Sequence, residues 1–376
     1  MSTNFNKTTN GTQTTSCFDP TARRIGYTVT YSLISVVSVT ANLLIAIIFY
    51  KTKTLRKSIN FFIVNMAISD ILLPIFLITP YLTSLYTEDP WLISGPVGVV
   101  LCKLVMFLPH VSVSVSTESL VLIAMDRFVA VVFPLRSPLI SSRLCPFLIL
   151  VTWIVAMAVS FPYLLTMKLV EYPVGLVCER KWIEAFGDSS SLKLYNVTVF
   201  TVSFYVPFVL IAILYIIICL RLKLQKKPGE PSINIERQRA KRERNVLKMS
   251  VAIVFGFALC WFPYTIHWLL PTHFRPENAS CGFEYFTAIA FLLAHSNCAI
   301  NPCICFIFSV NYRQGFKNLT RGSLVFNNDV NTSESVVFQR RRASESKAHC
   351  LISDAHVVQI NCIDWPTLKI EGERNF

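Results

Sequence analysis

The sequence predicts an all-α membrane protein: a seven-transmembrane helix bundle with its N-terminus outside, a short amphipathic eighth helix and a disordered cytoplasmic tail. Three observations carry this. Of 376 residues, 53% are hydrophobic and only 15% charged, and the mean hydropathy is +0.51, whereas soluble domains carry about a quarter charged residues. Apolar runs near 26–50, 59–85, 99–125, 145–168, 195–220, 247–270 and 284–310 are each long enough to cross a hydrocarbon core of about 30 Å as a helix. A large soluble helical protein would need charged outer faces along these runs, and they lack them. Finally, the net charge of +13 is placed unevenly between the links.

The N-terminal segment, residues 1–25, is polar and has no apolar signal core, so the first span is expected to act as the insertion signal. Lys51, Lys53, Arg56 and Lys57 follow the first span, and Arg136 and Arg143 follow the third. Between the fifth and sixth, "RLKLQKKPGEPSINIERQRAKRERNVLK" holds ten basic residues against three acidic ones. The links on the other side hold Glu88, Asp89, Glu171, Glu179, Glu184, Asp188, Glu277 and Glu284. By the positive-inside rule the basic links are cytoplasmic and the N-terminus is outside. The basic stretches are therefore read as solvated loops beside a lipid bilayer, and no nucleic-acid partner is expected. Sequons at Asn6, Asn10 and Asn278 fall on the outer side as glycosylation candidates. The expected organisation is an extracellular glycosylated tail (1–25), the seven-helix domain (26–310), an amphipathic helix (311–320) and a disordered cytoplasmic tail (321–376).

The third span poses the chemical question. Its run "SLVLIAMDRFVAVVFPL" carries Asp126 and Arg127, although a charge at the bilayer centre costs at least about 2.5 kcal/mol on insertion scales. From Cys102 to Arg127 is 25 residues, or about 37 Å of helix, so the pair belongs at the inner edge. Pro109 and Ser116 lie within about 20° of the Arg127 face, which directs that face into the bundle. Besides Asp126, Glu243 in "KRERN" at the start of the sixth span is placed to receive Arg127. A clamp between the third and sixth spans is a two-state element, as a switch requires.

Of the twelve cysteines, Cys17, Cys102, Cys178 and Cys281 fall outside or at the outer edge, where disulfides are permitted. Cys102 and Cys178 would pin the following loop over the bundle, and Cys17 and Cys281 would tie the N-tail to the last outer loop. Four cysteines allow three pairings, and the sequence does not choose among them.

The motifs occur as an ordered set. "DRF" stands 25 residues after Cys102, Asn42 in "TANLL" marks the first span, and Asn65 and Asp70 in "NMAISD" mark the second. Trp91, Trp153, Pro207, Tyr215, "FALCWFP" (Phe257 to Pro263), Asn301–Pro302 in "NPCIC" and "NYRQGF" follow in order. Together, over roughly residues 25–320, they resemble the rhodopsin-like (class A) G-protein-coupled receptors, and "SVSVSTESLVLIAMDRFVAVVFPL" is most similar to the neuropeptide Y, RFamide, galanin and tachykinin group. The resemblance implies a receptor that passes binding of an outer ligand to a heterotrimeric G protein by outward movement of the sixth helix. Asp126, Arg127, Glu243, Tyr215, Asn301 and Pro302 are the implied coupling and switch residues. Pro207 and Pro263 interrupt their helices, and Phe257 and Trp261 form the implied pivot. Asp70 lies mid-membrane, where Ser116, Asn42, Asn297 and Asn301 are expected to surround it. In the family this polar core holds an allosteric sodium ion; no other cofactor or metal is expected.

Three positions depart from the family. Cys305 stands where a tyrosine is usual, Thr117 replaces a large aliphatic residue, and Glu118 faces away from Arg127, protonated or paired with the fourth or fifth helix.

Pro109 occupies the place of the amine-binding aspartate of monoamine receptors, and the seventh span has no Schiff-base lysine for retinal. A peptide ligand is favoured by "VCERKW" within a long outer loop and by the acidic outer residues, which suit a basic peptide by electrostatic steering. Tyr81, His110, Glu179, Tyr264, Trp268 and His295 are the candidate pocket contacts. In the tail, "RRRASES" and "NTSES" offer Ser344, Ser333 and Ser335 to kinases and then to an arrestin-like partner. No nucleophile–base set or metal-ligand spacing stands out, so no catalysis is expected. The alternatives are a class A receptor for a lipid or other small molecule, and a seven-helix transporter or channel, which would require repeats between halves.

Overall fold

The computed structural model describes residues 17–87, 91–133, 140–173, 175–224, 234–269 and 281–321; within these, the side chains of 189–190, 224, 234–243 and 268–269 are not described. Among the described residues seven helices are long and apolar enough to cross a membrane: α1 (Pro20–Lys51), α2 (Ser58–Ser84), α3 (Gly95–Val132), α4 (Cys145–Thr166), α5 (Ser191–Lys223), α6 (Asn234–Leu269, its apolar span Arg244–His267) and α7 (Cys281–Phe308). A further helix, α8 (Val310–Thr320), follows. Helix α1 begins at Pro20, ahead of the expected residue 26. Asp19 accepts a hydrogen bond from the Ala22 amide at 2.8 Å and Pro20 has no amide to leave unsatisfied, so the sequence supplies its own cap.

The burial pattern inverts that of a soluble protein. Large apolar side chains such as Val36, Ile216 and Phe255 are about 60% exposed, whereas Ser38, Asn42, Ser69 and Ser116 are fully buried. Only an apolar surrounding makes that distribution stable. Helix α3, with 38 residues, is about 57 Å long and packs against α2, α4, α5 and α6. Helix α1 packs on α2 and α7, and α6 lies along α7. Local widenings of the helical turn occur at Pro74–Ile78 in α2 and at Thr201–Tyr205 in α5, just before Pro207. In both places a proline withholds an amide from the ladder.

Between α4 and α5 the chain forms a hairpin of β1 (Met167–Tyr172) and β2 (Gly175–Arg180), antiparallel with Leu169 opposite Cys178. Gly175 adopts φ 109 at the turn, a conformation that favours glycine. Cys178 is bridged to Cys102 on α3 and Cys17 to Cys281 at the start of α7. The hairpin is thus strapped across one end of the bundle.

Helix α8 starts at Ser309, whose hydroxyl accepts from the Tyr312 amide, and it buries Tyr312 and Gly315 against the rest. A Cβ on Gly315 would sit 2.4 Å from the Ile48 Cγ2 methyl of α1, and a β-branched neighbour has little rotamer freedom to yield. Gly315→Val is expected to destabilise the purified protein by about 1–3 kcal/mol, read as a lower melting temperature in detergent, with Gly315→Ala milder. Equal melting for all three proteins would show that α8 does not depend on this contact.

Candidate functional site

At the hairpin end the helices enclose a cavity of about 1080 Å³. Its walls are largely aromatic. Tyr27, Tyr31 and Tyr81 cluster with ring centroids 5.2 to 6.0 Å apart, and the His295 Nδ1 lies 3.1 Å from the Tyr31 hydroxyl. On the other side His110 stacks on Tyr163 at 4.1 Å, while its Nδ1 meets the Met106 carbonyl at 2.7 Å. The Tyr195 hydroxyl donates to the Val159 carbonyl at 2.9 Å. Of the candidate contacts, Tyr81, His110, Glu179, Tyr264 and His295 all line this cavity; the side chain of Trp268 lies outside the described residues. Arg23, Tyr31, Tyr163, Arg180, Tyr195 and His267, none of them among the sequence-based candidates, also line it. Strand and helix periodicity would have offered them only as ordinary packing.

The acids counted in favour of a basic peptide are partly engaged. Glu179 is paired with Lys181 at 2.7 Å and accepts from the Tyr172 hydroxyl at 2.6 Å. Glu184 is paired with Lys168 at 2.5 Å. Glu88, Asp89 and Glu277 lie outside the described residues. The Lys181 ammonium, with the Tyr172 hydroxyl, holds the Glu179 carboxyl below the usual carboxylate range and raises Lys181 in return. A depressed carboxylate stabilises the fold above its ordinary value of about 4.3 and loses that contribution as pH falls through its folded value. The protection of the hairpin amides, taken relative to their intrinsic exchange at each pH, is therefore expected to fall as the pH drops through the carboxylate range, and Glu179→Gln should remove much of that dependence. An unchanged profile in that variant would show the pair to be irrelevant to the hairpin.

Below the cavity, Trp261 and Phe257 of α6 stand 6.1 Å apart, with Phe204 of α5 5.4 Å from Trp261. Phe208 lies 5.6 Å from Phe257. Phe257 is fully buried and Trp261 is 7% exposed. Pro263 follows Trp261 by two residues, inside the same helix. The floor of the cavity is thus a bulky aromatic pair on a helix whose hydrogen-bond ladder is interrupted beside it.

Midway along the bundle, Asp70 is 2% exposed and accepts from Ser116 Oγ and Asn301 Nδ2, each at 3.0 Å. Asn42 Nδ2 donates to the Cys298 carbonyl at 2.8 Å and to the Ser38 carbonyl at 2.9 Å, tying α1 to α7. The Oδ1 atoms of Asn42, Asn297 and Asn301 are buried without a hydrogen-bond partner among the described residues. A carboxylate together with unpartnered amide oxygens offers the oxygen donors that hard cations take. A separate network joins α2, α3 and α4: Trp153 Nε1 donates to Asn65 Oδ1 at 2.8 Å, and Asn65 Nδ2 donates to Ser119 at 2.9 Å.

At the end opposite the hairpin, Arg127 donates twice to the Asp126 carboxylate, from Nε at 3.1 Å and from Nη2. The pair is largely buried, with side chains 17% and 9% exposed. The Tyr215 hydroxyl of α5 is buried without a hydrogen-bond partner among the described residues. Glu243 lies in α6, but its side chain is outside the described residues, so the Arg127–Glu243 clamp has no described geometry. Cys305 is fully buried against a cavity of only about 10 Å³. Beside it stands Tyr312 of α8, fully buried with its hydroxyl unpartnered among the described residues. The sequence reading missed Tyr312; its position in "NYRQGF" marked the helix but not which residue turns inward. Glu118 is half-buried and makes no hydrogen bond or ion pair among the described residues, so of its two expected states the paired one has no partner there. Asn6, Asn10, Asn278, Ser333, Ser335 and Ser344 lie outside the described residues.

The chain matches the model of the seven-transmembrane receptors of the rhodopsin family over residues 41–304. It is 30% identical over 293 residues to the RYamide receptor of Drosophila melanogaster, covering 77% of this chain and 62% of that receptor. It is 31% identical over 296 residues to neuropeptide receptor 22 of Caenorhabditis elegans, covering 76% of this chain and 67% of that protein. With the substance-P receptor of Aquarana catesbeiana the identity is 28% over 313 residues, covering 83% and 74% of the two chains. Proteins of these kinds are receptors rather than enzymes.

Proposed function

This chain belongs to the rhodopsin family of seven-transmembrane receptors, and from that premise we propose that it is a plasma-membrane receptor for an extracellular neuropeptide that couples to heterotrimeric G proteins. The observation that carries the reading is the aromatic cavity under the disulfide-strapped hairpin, set at the opposite end of the bundle from the Asp126–Arg127 pair. Small-molecule pockets typically enclose about 300–1000 Å³. A cavity of about 1080 Å³ lies at the top of that range, and Arg23, Glu179, Arg180 and Glu284 on its walls suit the charged and polar groups of the end of a peptide. The similarity to receptors named for peptides supports the same choice.

In this reading the N-terminus and hairpin are extracellular and the α5–α6 link is cytoplasmic. The ligand presses on Trp261 and Phe257, and α6 swings outward about the break at Pro263. Arg127 then leaves Asp126, and a cavity opens for the G protein between α3, α5 and α6. Ligand and G protein each tighten the binding of the other by the same factor, because both favour one state. Asp70, Ser116, Asn42, Asn297 and Asn301 hold a sodium ion that neutralises the buried carboxylate and favours the resting state. Kinases acting at Ser333, Ser335 and Ser344 prepare the tail for an arrestin-like partner.

The test is intracellular calcium in cells displaying the chain together with a promiscuous G protein, challenged with fractionated neuropeptide extracts. A response to one fraction, abolished by protease treatment of that fraction and reduced by Arg127→Ala, is expected. Silence from a well-displayed receptor, or a response that survives proteolysis, would overturn the peptide reading.

A further inference from the structure

Arg180 lines the cavity at the hairpin end, and neither carboxylate on the same wall, Glu179 or Glu284, forms an ion pair with it. Arg180 is the last residue of β2 and is half-buried. Side chains alternate along a strand, so Arg180 shares a face with Cys178, which is bridged to α3. That face is turned toward the bundle. Accordingly the Arg180 charge acts on the His110 ring of α3 and on the Tyr163 and Tyr195 hydroxyls of α4 and α5. Its neighbour Glu179 does not neutralise it, because that carboxylate is taken by Lys181 and Tyr172. Among the described residues no carboxylate forms an ion pair with Arg180. A guanidinium drawn into an aromatic cavity loses hydration without a partner to replace it. Its planar fork of donors matches a carboxylate.

We propose that the ligand of this cavity presents a carboxylate to Arg180, seated between the rings of His110, Tyr163 and Tyr195. The carboxylate comes either from an acidic side chain or from a free C-terminus. This rests on the peptide reading above and reverses the charge expected from the acidic loops: at the Arg180 contact the receptor is the cation and the ligand the anion.

The experiment uses full-length receptor displayed on cells with a promiscuous G protein, and four sets of synthetic octapeptide pools. One set is C-terminally amidated with Glu fixed at a single position, a second has Gln there and a third Lys. The fourth has a free C-terminus and no acidic side chain. On wild type, a carboxylate-bearing set is expected to act at concentrations on the order of tenfold to a hundredfold lower than the Gln set, the range of a charge-assisted hydrogen bond. Whichever of the Glu and free-acid sets shows the gain identifies the source of the carboxylate. Arg180→Gln should erase the difference at equal surface display, and Arg180→Lys should keep part of it. Responses without any carboxylate preference, or a preference that persists in a displayed Arg180→Gln receptor, would overturn the inference while leaving the peptide receptor standing. Silence of all four sets on a well-displayed wild type would overturn the peptide reading and this inference with it.

Discussion

Asp126→Asn is expected to raise ligand-independent signalling. Both described bonds of the Arg127 side chain go to the Asp126 carboxylate, and the pair is largely shielded from water. A hydrogen bond to a charged group contributes about 1.5–3 kcal/mol, so replacing the carboxylate by an amide should move the equilibrium between closed and open inner ends by roughly tenfold or more. If closed receptor dominates at rest, that shift is visible as basal calcium or inositol phosphate. The companion change Arg127→Ala should instead suppress ligand-driven signalling without lifting the basal level. Both variants keep every described contact of the hairpin end, so ligand binding should survive in each. An Asp126→Asn receptor that is displayed normally and is as quiet as wild type would show that this ion pair does not hold the resting state. The restraint would then lie elsewhere, with Glu243 the next residue to test.

Replacing Cys102 and Cys178 together by serine is expected to cost surface display and, in the molecules that reach the surface, the response to ligand. The bridge closes 76 residues of chain, for which the loop-entropy relation gives about 4.5 kcal/mol. In a bilayer the two helix ends are already confined, so the unfolded reference is narrower and the cost should fall toward about 2 kcal/mol. The functional loss is the larger effect. Without the bridge, β2 is no longer held over α3, and Glu179 and Arg180 leave the cavity wall. Removing the second bridge, Cys17–Cys281, should be milder, since it ties the start of α1 to α7 at the margin of the cavity. A serine double variant that is displayed and responds like wild type would show that the hairpin is held by its other contacts.

What the sequence determined alone is everything that depends on local composition. Each span satisfies its own backbone hydrogen bonds and faces lipid, so a run of apolar residues defines a transmembrane helix with no knowledge of its neighbours. The seven spans therefore emerge close to their structural limits, apart from the starts of α1 and α6 and the end of α3, where the helices continue beyond the apolar runs into polar or charged sequence. Helical periodicity likewise placed Ser116 on the inward face of α3, where it meets Asp70. What only the tertiary structure decided are the choices between partners remote in sequence. Four outer cysteines allowed three pairings, and the meeting of α1 with α7 and of β2 with α3 selected one. Two of the acids that appeared free to attract a basic ligand, Glu179 and Glu184, are tied to lysines of the same hairpin region, while the basic Arg180 lines the cavity. Charge counted along a chain is a sum without directions. The sign a ligand meets depends on which side chains a strand points into the cavity and which of them are already paired.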